Sequence, residues 1–105
     1  MTEYGTLSPA GAVALREVRE HIRQHPETFY WPLTAPGASA CCIGGHLRRK
    51  FGATSLVSTV SHLGFCESPI KETHPAHPLF FHWPPGVSFR YIPTAITIID
   101  AILWQ

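Results

Sequence analysis

Two cysteine–histidine pairs are the first residues of this chain whose types and spacing indicate a chemistry. Cys42 precedes His46 by four residues, and His62 precedes Cys66 by the same interval. Residues four apart on a helix share one face, so two such helices packed face to face would bring four zinc ligands together. The alternative is that both cysteines pack in the interior, because free cysteine is among the most buried residue types.

Three further histidines form a second candidate metal group. His74, His77 and His82 lie in a proline-rich stretch, and three imidazoles can hold a catalytic metal. Histidines scattered among prolines are also simply exposed polar residues. The sequence therefore predicts no resident cofactor, with zinc kept as an alternative.

Cys41 and Cys42 also indicate a thiol nucleophile. They are predicted in the first turn of a helix, where the positive end of the helix dipole lowers the pKa of a thiol. His25 is the candidate base, and the backbone amides after Ser39 would stabilise an oxyanion. The competing interpretation places both cysteines in the core near Trp31. No Gly-rich nucleophile motif accompanies them, so a non-enzymatic protein is favoured and no catalytic residue is assigned.

A small-ligand pocket at the N-terminus of the 39–46 helix is an alternative function. Gly44 and Gly45 lie inside that predicted helix, where each costs about 0.5–1 kcal/mol relative to Ala. Either a neighbouring helix or a ligand must approach the backbone closely there, and an anionic ligand suits free helix N–H groups. The residues assigned to this pocket are His25, Trp31, Ser39, Cys42, Gly44, Gly45 and Trp83.

Four helices must position these residues. They are predicted over 9–24, 40–51, 54–63 and 92–104, with a further turn at 79–81. Ser8 and Pro9 mark the first helix start, Ser39 and Thr54 the next two, and Pro93 the last. Prolines forbid long regular structure between Cys66 and Arg90. The expected fold is one all-α domain over 1–105, a bundle of about four short helices with a long Pro-rich loop before the last.

The last predicted helix is apolar nearly all round, which is typical of a central or interface helix. Ile98 and Trp104 lie outside the centre of its apolar stripe and are the candidate interface residues. Asp100 is the exception on this helix, and we expect it to pair with an arginine or a backbone N–H, because a lone buried carboxylate is costly.

Composition favours a protein partner over nucleic acid. The chain has 105 residues, of which 14% are charged, and its formal net charge is +1. About 25% charged residues is usual, so this surface must expose other groups, and exposed apolar area often marks a contact surface. A charge near neutral disfavours nucleic-acid binding. We therefore expect a protein partner or a homo-oligomer.

Cysteine usage and hydropathy bear on the compartment. Three cysteines, without a secretory leader in the sequence given, predict a reducing compartment. No apolar run approaches the roughly 20 residues that span a bilayer. A cytoplasmic protein without a membrane partner is expected.

A series of short motifs runs along the chain from about Ile22 to Ile102. They are His25-Pro26-Glu27-x-Phe29-x-Trp31, Ala40-Cys41-Cys42-Ile43-Gly44-Gly45, His62-Leu63-Gly64, Leu79-Phe80 and Trp83-Pro84. The series resembles a family of small uncharacterised bacterial and phage proteins with the pattern HPE-x-F…W…AC-I-A-G…LF…WP, in which Gly44 replaces an Ala. The resemblance implies a small helical domain of phage or mobile-element origin. The low charge, the apolar last helix and loops rich in Trp, Phe and Tyr favour a non-enzymatic interaction module. Together with the resemblance, they lead us to expect a module that modulates host or defence proteins.

Overall fold

A computed structural model describes residues 3–31, 39–82 and 85–104. These ranges contain five α-helices and one 3₁₀ turn, and no strand beyond two isolated bridges. The helices are α1 (Pro9–Gln24), α2 (Ile43–Phe51), α3 (Leu56–Leu63), α4 (His77–Phe81) and α5 (Pro93–Leu103), and the 3₁₀ turn is Pro26–Thr28. The predicted all-α class is confirmed.

Helix α1 is the element on which the other long helices pack. It contacts α2, α3 and α5 through a buried face that includes Leu15 and Ile22. The predicted bounds of this helix, 9–24, are confirmed. At its start, Ser8 Oγ accepts a hydrogen bond of 2.9 Å from the Gly11 N–H. A Cβ on Gly11 would lie 2.8 Å from the Leu63 carbonyl oxygen, so this glycine lets α1 and α3 approach closely.

Helix α2 begins three residues later than predicted. Its N-cap is Cys42, without a side-chain capping bond, and Ser39 is exposed and outside the helix. Cys41 is held in a bridge with Phe29, since its N–H donates to the Thr28 carbonyl and its own carbonyl accepts from Tyr30. This long-range pairing keeps Cys41 out of the helix and overrides the local capping preference of Ser39.

Helix α3 also begins later than predicted, with Ser55 rather than Thr54 as its N-cap. Ser55 Oγ accepts from the Ser58 N–H at 3.0 Å. The Thr54 carbonyl instead accepts a hydrogen bond from Arg48 Nη2, which ties it to the preceding helix. Gly64 closes α3 in the left-handed region, as predicted.

A buried histidine organises the proline-rich segment before α4. His74 Nδ1 accepts from the Ala76 N–H at 3.0 Å, so its ring proton is on Nε2 and donates to the Cys66 carbonyl at 2.8 Å. Its ring packs against Tyr4 with centroids 4.6 Å apart. The segment is therefore anchored to the core before the single predicted turn, which is α4.

Helix α5 packs against α1 and α4. It runs from Pro93 to Leu103 and ends one residue before the predicted Trp104, which is its C-cap. The expected partner of Asp100 is an arginine: Arg19 Nε donates to its Oδ1 at 2.8 Å and joins α5 to α1.

One apolar cluster connects all five helices. Its fully buried members include Leu15, Ile43, Val60, Leu79 and Ile99, one from each helix. Among the helices of the described ranges, none is both long and apolar enough to cross a bilayer.

Candidate functional site

The first predicted pair of zinc ligands lies in the interior, and both side chains are hydrogen-bonded to main-chain carbonyls. Cys42 Sγ donates to the Leu79 carbonyl at 3.7 Å, which links α2 to α4. His46 Nε2 lies 2.9 Å from the Thr28 carbonyl, and since a carbonyl accepts only, this nitrogen carries the ring proton.

The second predicted pair lies at the C-terminal end of α3. His62 stacks on Phe51 with ring centroids 4.9 Å apart, and Cys66 Sγ donates to the Tyr4 carbonyl at 3.2 Å. In the part of the chain that the structure describes, no three side chains of His, Cys, Asp or Glu are grouped closely enough to hold a metal ion. The four predicted ligands are therefore not brought together.

The histidines of the Pro-rich segment also occupy separate places. His74 is buried with both ring nitrogens in hydrogen bonds, and His77 Nδ1 lies 2.9 Å from the Pro69 carbonyl. His82 packs edge-on against Trp31 at 5.8 Å between centroids. Each imidazole thus has its own structural partner.

The alternative of an activated thiol at the two adjacent cysteines is contradicted by their burial and by the start of the helix. Burial raises the pKa of the Cys41 thiol to about 11, with Arg49 offsetting only part of the effect. Burial also raises the pKa of Cys42. The helix begins at Ile43, so neither cysteine lies in its first turn. His25, the candidate base, is exposed and lies 3.5 Å from Glu27.

The predicted 39–46 pocket coincides with packed interior. Trp31, Cys42 and Gly45 are buried, and a Cβ on Gly44 would overlap the ring of Phe80. The glycine therefore accommodates a close helix–helix contact, the first of the two explanations that the sequence left open. His25 and Ser39 are exposed, and Trp83 lies outside the described residues.

An exposed aromatic cluster lies beside this interior, and we refer to Tyr30, Phe89, Arg90 and Tyr91 as the aromatic patch. The rings of Tyr30 and Phe89 are 5.2 Å apart, and Arg90 Cζ lies 5.6 Å from the centre of the Tyr30 ring. Phe89 is 41% exposed and Tyr91 is 42% exposed. Aromatic and guanidinium groups thus share one part of the surface.

Hydrogen bonds from Trp31 hold the backbone of the aromatic patch, and a further bond holds the Arg90 side chain. The Trp31 N–H donates to the Phe89 carbonyl, and Trp31 Nε1 donates to the Tyr91 carbonyl, both at 2.8 Å. Arg90 Nη1 donates to the Glu27 carbonyl at 2.9 Å. The buried Trp31 therefore anchors segment 89–91 from beneath.

The two predicted interface residues on α5 have different environments. Trp104 is 86% exposed and borders a cavity of about 360 Å³ with Arg16, Asp100 and Leu103. Ile98 is half-buried and packs against the core cluster. Trp104 is therefore available to a partner, whereas much of Ile98 is already used in packing.

A polar cleft of about 450 Å³ separates α1 from α2. Acidic side chains of α1 and basic side chains of α2 line it, and Lys50 Nζ meets Glu17 Oε2 at 2.7 Å across it. His46 is 5% exposed and forms part of its wall. Burial lowers the pKa of His46 below its ordinary 6.5, with further lowering by His21 and Arg49.

Comparison with protein-family models, with curated proteins and with solved structures gave no match to this chain. The resemblance to small bacterial and phage proteins therefore stays a prediction.

The sequence predicted neither the aromatic patch nor the α1–α2 cleft. The aromatic patch depends on a hydrogen bond between Trp31 and Tyr91, which are 60 positions apart, and no local sequence pattern predicts that contact. The cleft had a weak signal, because Glu17, Glu20 and His21 recur at helical spacing on α1. Their basic partners on α2, Arg49 and Lys50, are adjacent in sequence and carry no signal that they face α1.

Proposed function

We propose that this protein is a non-enzymatic protein-interaction module that contacts its partner through the aromatic patch. The observation that carries the proposal is the exposed grouping of Phe89, Arg90 and Tyr91 on a backbone held by hydrogen bonds. Tyr and Arg are enriched among the residues that dominate binding energy at interfaces.

Preorganisation supports this assignment. A partner that binds a flexible loop must offset the entropy lost on ordering it, whereas segment 89–91 is already bonded to Trp31 and Glu27. The aromatic side chains also have few rotatable bonds, so their immobilisation costs little.

Trp104 supplies a second contact surface in this proposal. Its indole is 86% exposed, and the adjoining cavity is lined by Arg16, Arg19 and Asp100. A second copy of the chain is an alternative occupant of this face. The modulation of a host or defence protein, proposed from the family resemblance, would use the same surfaces.

The test is affinity capture from the source cells with the purified chain, followed by measurement of Kd for the retained protein. We expect the double substitution Phe89→Ser and Tyr91→Ser to weaken binding by about tenfold or more, as for residues that dominate an interface. The fold should survive, because the hydrogen bonds to Trp31 use the main-chain carbonyls of these two residues.

Val57→Ser is the matched control. Val57 is an apolar residue on α3, 48% exposed, and not part of the aromatic patch. The proposal requires that the control variant bind as the wild type does. An equal loss of affinity in the double-substitution variant and the control, or a Kd unchanged by the double substitution, would contradict the proposal. Sedimentation velocity on the same proteins distinguishes a second copy from a different partner.

A further inference from the structure

The α1–α2 cleft has two walls of opposite charge. Glu17 and Glu20 line it from α1, and Arg49 and Lys50 line it from α2. A purely anionic ligand would meet the carboxylates, and a purely cationic ligand would meet the basic side chains. A molecule with both charges finds a partner on each wall.

Between the acidic and the basic side chains, the cleft is lined by Val18, His21, Gln24 and His46. Val18 is buried and supplies an apolar surface, and His46 is 5% exposed. Burial disfavours the charged form of His46 and lowers its pKa. Its Nε2–H is used by the Thr28 carbonyl, so Nδ1 is the nitrogen with an accepting lone pair.

The volume of about 450 Å³ is within the range of small-molecule sites, which is roughly 300–1,000 Å³. The ion pair between Lys50 and Glu17 crosses the cleft at 2.7 Å, with side chains 36% and 52% exposed. The Glu20 carboxylate accepts hydrogen bonds from Arg23 and Gln24 of its own helix, both at 3.0 Å. Exposed pairs of this kind contribute little to stability, so the charged ends of a ligand can replace them at small cost.

We propose that the α1–α2 cleft binds a small zwitterion of amino-acid type, with its carboxylate toward Arg49 and Lys50 and its ammonium group toward Glu17 and Glu20. The uncharged part of the ligand lies over Val18 and His46. This site shares no residue with the aromatic patch, so its failure and the failure of the proposed interaction function are distinguishable.

The experiment is a titration of the ¹⁵N-labelled chain with each of the proteinogenic L-amino acids, followed by amide chemical shifts. We expect at least one amino acid to shift the amides of α1 and α2 that border the cleft, in a saturable manner. If none does, the proposal is overturned.

Two half-ligands test the need for both charges. These are the amine and the carboxylic acid that remain when the best amino acid loses its carboxylate or its amino group. Each should bind about tenfold more weakly than the amino acid, because each lacks one charge-assisted contact. Equal binding by either half would overturn the two-wall arrangement.

Lys50→Met and Glu20→Gln test the walls, and Lys71→Met is the matched control. Lys71 is exposed and lies in the Pro-rich segment, outside the cleft. Both wall variants should weaken binding about tenfold, by loss of one contact to a charged group, and the control should not. Unchanged affinity in the wall variants would place the amino acid elsewhere and overturn the assignment. Circular dichroism of each variant excludes unfolding as the cause.

Discussion

At the scale of single residues, burial decides the chemistry of the side chains that the sequence singled out. Cys41 and Cys42 have the right type for nucleophiles, but loss of hydration raises the pKa of both thiols. The same effect acts in the opposite direction on His46, whose charged form is the protonated one. Residue type alone predicts none of this, because the depth of burial follows from packing.

The pKa shift of His46 predicts a pH-dependent stability. Its pKa is lower in the folded chain than the ordinary 6.5, so the unfolded chain binds more protons between the two values. The contribution of His46 is therefore fully present above pH 6.5 and is lost as pH falls below it. Urea denaturation from about pH 7.5 to about pH 5 measures the slope.

His46→Gln isolates this effect. The Gln amide can still donate to the Thr28 carbonyl but does not titrate. The variant should lose less stability than the wild type between those pH values. Parallel curves for the two proteins would show that His46 contributes no pH dependence.

The three cysteines should differ in reactivity toward iodoacetamide. Cys66 is exposed, whereas Cys41 and Cys42 are buried, and only thiolates react readily. Peptide mass spectrometry of the native chain should find Cys66 modified first, and urea should expose the other two. Fast labelling of Cys41 in the native chain would instead restore the nucleophile hypothesis.

At the scale of elements, the close contact of α2 and α4 depends on Gly44. A Cβ there would overlap the Phe80 ring and lie 3.0 Å from the Leu79 carbonyl oxygen. Gly44→Ala should therefore destabilise the fold by roughly 1–3 kcal/mol, the usual cost of overpacking a core. Denaturant unfolding measures the change.

A second substitution tests whether the ring contact is the cause. In a Phe80→Leu background the smaller side chain can move away, so the penalty of Gly44→Ala should shrink. An identical penalty in both backgrounds would assign the cost to the Leu79 carbonyl, a contact that remains in both.

Local signals predicted the start of α1 and the end of α3, and placed the N-cap of α3 one residue too early. Ser8 and Pro9 start α1 and Gly64 ends α3, as expected, because each cap is made by residues within a few positions. The start of α2 was not predictable in this way. It depends on the bridge between Phe29 and Cys41, whose formation requires the whole fold.

The candidate site was less predictable than the fold. Trp104 was predicted to be an interface residue because its helix is apolar nearly all round, and it is 86% exposed. The aromatic patch depends on Trp31 reaching Tyr91, and neither residue is near the other in sequence. Helical spacing places residues on one face, but it does not say which loop will lie beside that face.

At the scale of the whole molecule, low charge makes weak self-association sensitive to pH. The formal net charge is +1 and the isoelectric point is about 7.8, so long-range repulsion between copies is small near neutrality. Histidine as a residue type gains positive charge as pH falls toward 6, and the chain has seven histidines.

We therefore expect the osmotic second virial coefficient, measured by static light scattering, to be lowest near pH 7.8 and to rise toward pH 6 as the net charge of the chain becomes more positive. Because the repulsion is electrostatic, added salt should remove most of the rise, since about 0.15 M salt screens charges beyond roughly 8 Å.

The variant Phe89→Ser with Tyr91→Ser separates charge from apolar contact. If the aromatic patch drives association between copies, this variant should raise the coefficient at pH 7.8 while the rise toward acid pH remains. A coefficient that stays constant with pH in both proteins would show that net charge does not govern their association.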